Sequence, residues 1–196
     1  MADRRPDHPI DPLFPERWSP RAFDESPMPH KDLLSLFEAA RWAPSAFNSQ
    51  PWRFLYALRG EADWERFLGL LIPWNQSWAR SGSALVYILS DTLPFTDKAG
   101  EPATSHTHSY DAGAAWACFA LQASIMGYQA HGMSGVEFDR ARVELAVPER
   151  YRIEAAAVVG RLGDPTTLPD KLRAREAPSG RKAVEEFAFK GGWPAQ

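Results

Sequence analysis

The chain has 196 residues, 44% hydrophobic and 24% charged, with a net charge of −3. This is ordinary for a folded domain with one real core. It offers no basic field for nucleic acid and no apolar run long enough to span a membrane. The single cysteine, Cys118, has no partner for an internal disulfide, which suits a reducing compartment. The opening Met1-Ala2-Asp3-Arg4-Arg5-Pro6-Asp7 lacks the apolar centre of a secretory signal, so the expected location is the cytoplasm.

Residues 1–12 are proline-rich and polar and read as an arm over the surface or a partner subunit, ahead of one domain over 13–196. From Pro29 to about Trp42, Leu33, Leu34, Phe37, Ala40 and Arg41 recur at helical spacing, with Pro29 at the start and Pro44 beyond the end. Arg53–Leu58 reads as a strand. Ala62–Leu71 reads as a helix with Trp64, Phe67, Leu68 and Leu71 on one face. Ile72–Trp78 reads as a polar, aromatic connection, and Ala84–Ser90, continuously apolar, as a buried strand. Residues 91–108 form a surface loop at the expected pocket mouth. Ser109–Met126 is the longest predicted helix, and its Gly113, Ala114, Ala115, Ala117 and Ala120 let a neighbour approach closely. A short strand over Tyr128–Met133 follows, then a helix capped by Asp139 and a strand around Ala155–Gly160. The tail, Asp164–Gln196, is poor in apolar residues before Val184, Phe187 and Phe189. It is expected to lie along the body or on a partner chain. No G-x-G-x-x-G follows a strand and no G-x-x-x-x-G-K-[ST] occurs, which argues against Rossmann and P-loop sites and favours an α+β fold.

Three groups of side chains carry chemistry. Arg17 and Arg21, with Ser19 between them, can surround a phosphate through forked donors and a hydroxyl, or form a solvated basic patch. Asn48 and Gln50 lie in Ala43-Pro44-Ser45-Ala46-Phe47-Asn48-Ser49-Gln50-Pro51-Trp52. They offer donors and acceptors to a heterocycle edge, or serve the turn itself. Arg181 and Lys182 gain interest because a phosphate at Arg17 needs further positive charge. The eight tryptophans either pack the core or stack on a planar ligand, and Trp42, Trp52, Trp74 and Trp78 lie near the polar loops. His106 and His108 lack an evident third ligand and read as solvent-facing. Cys118 has no identifiable base, and no serine sits in a G-x-S-x-G elbow.

Read in order, Arg17-x-Ser19-x-Arg21, Pro44-Ser45-x-x-Asn48-x-Gln50-Pro51-Trp52, Asn75, the small-residue helix, Gly132-Met133-Ser134-Gly135, Val158-Val159-Gly160 and Arg181-Lys182 resemble the FMN-dependent nitroreductase family. The resemblance implies an α+β fold with a mainly antiparallel central sheet flanked by helices, in an intertwined homodimer whose subunits exchange C-terminal segments. It implies that Arg17 and Ser19, flanking Trp18, hold the FMN phosphate, with Arg181 and Lys182 completing the clamp. Arg21 would lie at the flavin N1–C2 edge and Asn75 at the pyrimidine edge. Ser45, with loop neighbours Pro44, Ala46, Asn48 and Gln50, would reach FMN across the dimer interface. The backbone of Met133, Ser134 and Gly135 would lie against the ring, with an amide directed at N5.

The implied activity is hydride uptake from NAD(P)H and reduction of a small electron-poor acceptor, a nitroaromatic or quinone, in two half-reactions with no side-chain nucleophile. Enones or halogenated aromatics as acceptors, or a non-catalytic flavin carrier, remain open alternatives. Ala46 stands where many relatives have a second serine, Trp78 where some have a basic residue, and Ser134 where some have an acidic one. Trp78 would then cover a ring and narrow the pocket.

Overall fold

The computed structural model describes residues 4–194. The expectations that reach Met1–Asp3 and Ala195–Gln196 lie outside the described residues. A single helical turn, α1 (Leu13–Glu16), leads to α2 (His30–Arg41), then β1 (Trp52–Leu58), α3 (Trp64–Gly69), α4 (Pro73–Ala79) and β2 (Ala84–Asp91). A small hairpin, β3 (Phe95–Thr96) with β4 (Pro102–Ala103), occupies the expected surface loop. The chain continues through α5 (His108–Ile125), β5 (Gln129–Met133), α6 (Phe138–Glu144), β6 (Tyr151–Gly160) and α7 (Asp170–Arg173).

The main sheet has the order β1-β2-β6-β5, and every pairing is antiparallel. β2 is the hub. All its residues are buried, as its unbroken apolar run Ala-Leu-Val-Tyr-Ile-Leu requires of a strand covered on both faces. Side chains alternate between faces along a strand. Leu85, Tyr87 and Leu89 therefore join Trp64, Phe67, Trp78 and Ala141 from α3, α4 and α6. Ala84, Val86 and Ile88 join Leu33, Leu36 and Ala40 of α2 and Ala112, Ala115, Phe119 and Ala123 of α5. Each fully buried aliphatic or aromatic side chain contributes about 1.5–3 kcal/mol. The α5 alanines keep their helix close to the sheet and α2, which realises the expected central position. Its Tyr110, Gly113 and Ala117 face outward.

Four local expectations need correction. Ile72–Trp78 is mostly helix: Pro73 sits at the first helical position, where its missing N–H costs nothing, and Asn75, Trp78 and Ala79 turn inward at helical spacing. The buried stripe of α2 is Leu33, Leu36 and Ala40, so Leu34, 48% exposed, is out of phase. Asp139 does not cap α6. Glu137 holds that place and Asp139 lies in the first turn, where an acidic group suits the helix dipole. The tail is anchored before Val184, because Leu168 and Leu172 enter the core beneath the sheet.

Register also shifts between Ile88 and Leu89, leaving Glu154 unmatched on β6. A bulge re-aims its side chain. The Glu154 carboxylate accepts from Ser90 at 2.5 Å and from Ser109 at 2.7 Å, while His108 Nδ1 lies 2.7 Å from Ser90 Oγ. His108 is thus held by α5 and β2 neighbours rather than facing solvent.

Candidate functional site

The segment between α1 and α2 carries Arg17, Trp18, Ser19 and Arg21, all partly buried. Arg17 donates to Ser19 Oγ at 3.4 Å, and no carboxylate among the described residues pairs with Arg17. Partial burial, then the Arg181 and Arg4 guanidiniums, push its pKa down. Such a gathering of cations is stabilised by a bound anion. Arg17, Arg181 and Lys182 line a cavity of about 900 Å³ between the N-terminal arm and the C-terminal tail, with Phe14, Val184 and Phe187 forming part of its apolar wall. Arm and tail are tied directly: Arg4 donates to the Ser179 carbonyl at 2.8 Å and the Val184 amide to Asp7 at 3.2 Å.

Beyond Ser19 the segment crosses the end of β5. His131 Nδ1 lies 2.8 Å from the Pro20 carbonyl, to which it donates. Burial, reinforced by Arg21 and Arg17, overrides the favourable backbone contacts and pushes the His131 pKa down to about 4, so the ring is neutral near neutrality. Its ring packs on Trp78 of α4 with centroids 4.6 Å apart. The Arg21 guanidinium lies 5.8 Å from the same indole. Trp78 is 2% exposed and belongs to the core, so it supports Arg21 and His131 from beneath instead of covering a ring. Its Nε1 is buried with no acceptor among the described residues.

Asn75, one turn earlier in α4, is buried and donates from Nδ2 to the Gly135 carbonyl at 3.1 Å. The Ile72 amide donates to the same oxygen, also at 3.1 Å. A Cβ on Gly135 would fall 2.5 Å from Asn75 Nδ2, which is why glycine is needed there. Met133 is buried at the end of β5, and Ser134 is exposed beside it. The arginine segment, His131, Met133–Gly135, Asn75 and Trp78 therefore form one chain of neighbours.

The Pro44–Gln50 loop stands apart. No hydrogen bond, ion pair or ring contact among the described residues joins it to the arginine segment. Its anchor is Asp111 in the first turn of α5, buried, which accepts from the Ala46 amide at 3.2 Å. Ser45 Oγ accepts from the Gln50 amide at 3.0 Å, and Gln50 Nε2 donates to the Asn48 carbonyl at 3.2 Å. Phe47, Asn48 and Gln50 all have positive φ, at 51°, 54° and 47°. Left-handed backbone costs a non-glycine residue about 1–2 kcal/mol, so three such residues in four form a strained, outward-pushed loop. Phe47 is 94% exposed, touched edge-on by Phe95 of β3 at 5.6 Å. Asn48 and Gln50 are exposed, Pro44 is exposed, and Ser45 and Ala46 are half-buried.

Sequence reading passed over Arg4, Asp111, His131 and Glu176. Only His131 carries a local signal, as a titratable ring on a predicted short strand.

The antiparallel sheet flanked by helices, with an arginine-lined cavity at the arginine segment, places the chain in the α+β class, and comparison with known proteins narrows it. The model of the nitroreductase family matches residues 15–77. A crystal structure described as an oxidoreductase containing FMN is 46% identical, with each chain covered over 100% of its length and a TM-score of 0.95. A Mycolicibacterium smegmatis protein, described as an uncharacterized 15.4 kDa protein in the ask 5′ region, is 32% identical over 72% of this chain and 97% of its own length. The chloronitrobenzene nitroreductase of Comamonas testosteroni is 40% identical over 53 residues, 27% of this chain and 23% of that one. The chain belongs to the nitroreductase family.

Proposed function

We propose that this oxidoreductase binds FMN, takes hydride from NAD(P)H and reduces small electron-poor acceptors such as nitroaromatics or quinones. The observation that carries the reading is the cation cluster of Arg17, Arg181 and Lys182 at one cavity, with no carboxylate among the described residues paired with Arg17, in a chain of contacts leading to Asn75 and Gly135. The donor chemistry fits the cofactor. Guanidiniums and the Ser19 hydroxyl suit a phosphate monoester, and an amide with exposed backbone suits a ring that both donates and accepts. Asn75 would address the pyrimidine edge, and the backbone of Met133, Ser134 and Gly135 would face the ring near N5. Arg21 would place positive charge at the N1–C2 edge. The chemistry supplied by bound FMN is hydride acceptance and two-electron release; the protein binds and orients. NAD(P)H and the acceptor would occupy the same place in turn, giving a two-half cycle.

In this reading residues 13–196 are one FMN-binding domain with residues 1–12 as an arm, and the working form is a cytoplasmic homodimer with exchanged C-terminal segments. The separation of the Pro44–Gln50 loop from the arginine segment supports this, since the strained loop would then bring Ser45, Ala46 and Asn48 to the partner's flavin. The outward face of α5 at Tyr110, Gly113 and Ala117 would pack at the interface. The test is spectroscopic. The purified protein is expected to release FMN near one per chain on denaturation, to bleach with NAD(P)H and to recover its colour with a nitroaromatic or quinone. Arg17→Ala is expected to lose FMN at least about tenfold more readily with the fold retained. A colourless protein that takes up no added FMN defeats the reading. Bleaching without recovery by any acceptor would favour a flavin carrier.

A further inference from the structure

Glu176 follows α7 by three residues, yet its side chain is only 2% exposed. A buried carboxylate is retained only where donors compensate it. One oxygen accepts from the Arg21 amide at 2.6 Å and from the Ala22 amide at 2.9 Å, and the other lies 3.7 Å from the Arg21 guanidinium. That second oxygen has no hydrogen-bond donor among the described residues, so its remaining partner is the Arg21 charge. Arg21 is thereby held from two sides, by Glu176 and by Trp78. The contact spans 155 residues and ties the C-terminal segment to the arginine motif.

We propose that Glu176 is a positioning residue, which fixes the Arg21 backbone and offsets its positive charge, and so sets how strongly Arg21 favours the electron-rich state of a flavin beside it. The proposal rests on the reading of Arg21 given under Proposed function. Two separate actions follow. The bonds to the Arg21 and Ala22 amides set where the guanidinium stands. The carboxylate charge sets how much of the guanidinium's charge is left over.

Glu176→Gln keeps an acceptor for both amides and removes the charge. With more of the Arg21 charge uncompensated, the two-electron, one-proton reduction equilibrium, titrated with dithionite, is expected to move about tenfold toward reduction, a rise of about 30 mV in midpoint potential. Glu176→Ala removes the acceptor as well. In the FMN-free protein the Arg21 and Ala22 amides are then expected to exchange with deuterium at least about tenfold faster, whereas Glu176→Gln leaves them protected. Combined with Arg21→Gln, the potential rise from Glu176→Gln is expected to shrink, because the charge it released is gone.

A potential unchanged or lowered in Glu176→Gln overturns the proposal, as does an equal rise with Arg21 absent or unaltered exchange in Glu176→Ala. Should Glu176→Gln fail to fold, Glu176→Asp gives the same reading: the charge, drawn back by one methylene, is expected to raise the potential by a smaller step, and no step overturns the proposal. A wild-type protein that binds no FMN instead defeats the reading beneath it, and with it this role for Glu176. Bound FMN with a potential indifferent to Glu176 defeats only the role of Glu176.

Discussion

Acidification from about pH 7 to about pH 5 is expected to destabilise the protein through His131 by about 2 kcal/mol. The ring is half-buried against Trp78 and beside Arg21, and its pKa falls from the ordinary 6.5 to about 4. Between these values the unfolded chain binds a proton that the folded chain refuses, so stability rises with pH across this window. The contribution is complete above the unfolded value and is lost as pH falls toward the folded one. Below about pH 4 both states are protonated and the slope from this residue vanishes. For a chain of this length the loss corresponds to about 4–8 °C in melting temperature. The assay is thermal unfolding at fixed protein concentration, with wild type and His131→Gln compared at both pH values. Glutamine keeps a donor for the Pro20 carbonyl and cannot titrate. The wild-type drop is expected to exceed the variant drop by roughly the amount above. Equal drops would refute the reasoning, because the acid sensitivity would then come from other groups.

Arg150→Ala is expected to cost about 2 kcal/mol. It strips two bonds of 2.6 Å from the Asp91 carboxylate, which is only 3% exposed and whose pKa burial would raise if the Arg150 bonds did not hold it down. Denaturant titration reads the loss, and the deficit is expected to shrink at low pH, where Asp91 is protonated. Gly135→Ala drives a methyl into Asn75 Nδ2 and Ile72 Cδ1, and is expected to cost about 1–3 kcal/mol in the same titration. It is also expected to weaken FMN uptake measured by flavin fluorescence. Leu172→Ala is expected to cost about 2–5 kcal/mol, because the side chain is 1% exposed within the core. A change below about 0.5 kcal/mol would show that the C-terminal segment is not anchored there.

Elements whose signals are local are legible in the residues alone. The unbroken apolar run of β2, the span of α2 and the alanine-rich α5 stand where the local pattern puts them, because side-chain period follows from backbone geometry alone. The order of the arginine motif, the Pro44–Gln50 loop and Gly132–Gly135 likewise carries the family resemblance without any tertiary contact. The remaining features depend on long-range packing. α4 carries no local helix signal because its two tryptophans, asparagine and serine are weak helix formers, and burial of Asn75 and Trp78 overrides that propensity. Glu176 sits in a charged, outwardly featureless stretch, and only the fold brings it to Arg21 across 155 residues. His131 owes its depressed pKa to burial and then to Arg21 and Arg17, against the opposing bond to Pro20, and the fold draws these groups from distant segments. Periodicity records which face a residue presents to the interior; which distant partner waits there depends on how the helices and strands are stacked, and no local pattern encodes that.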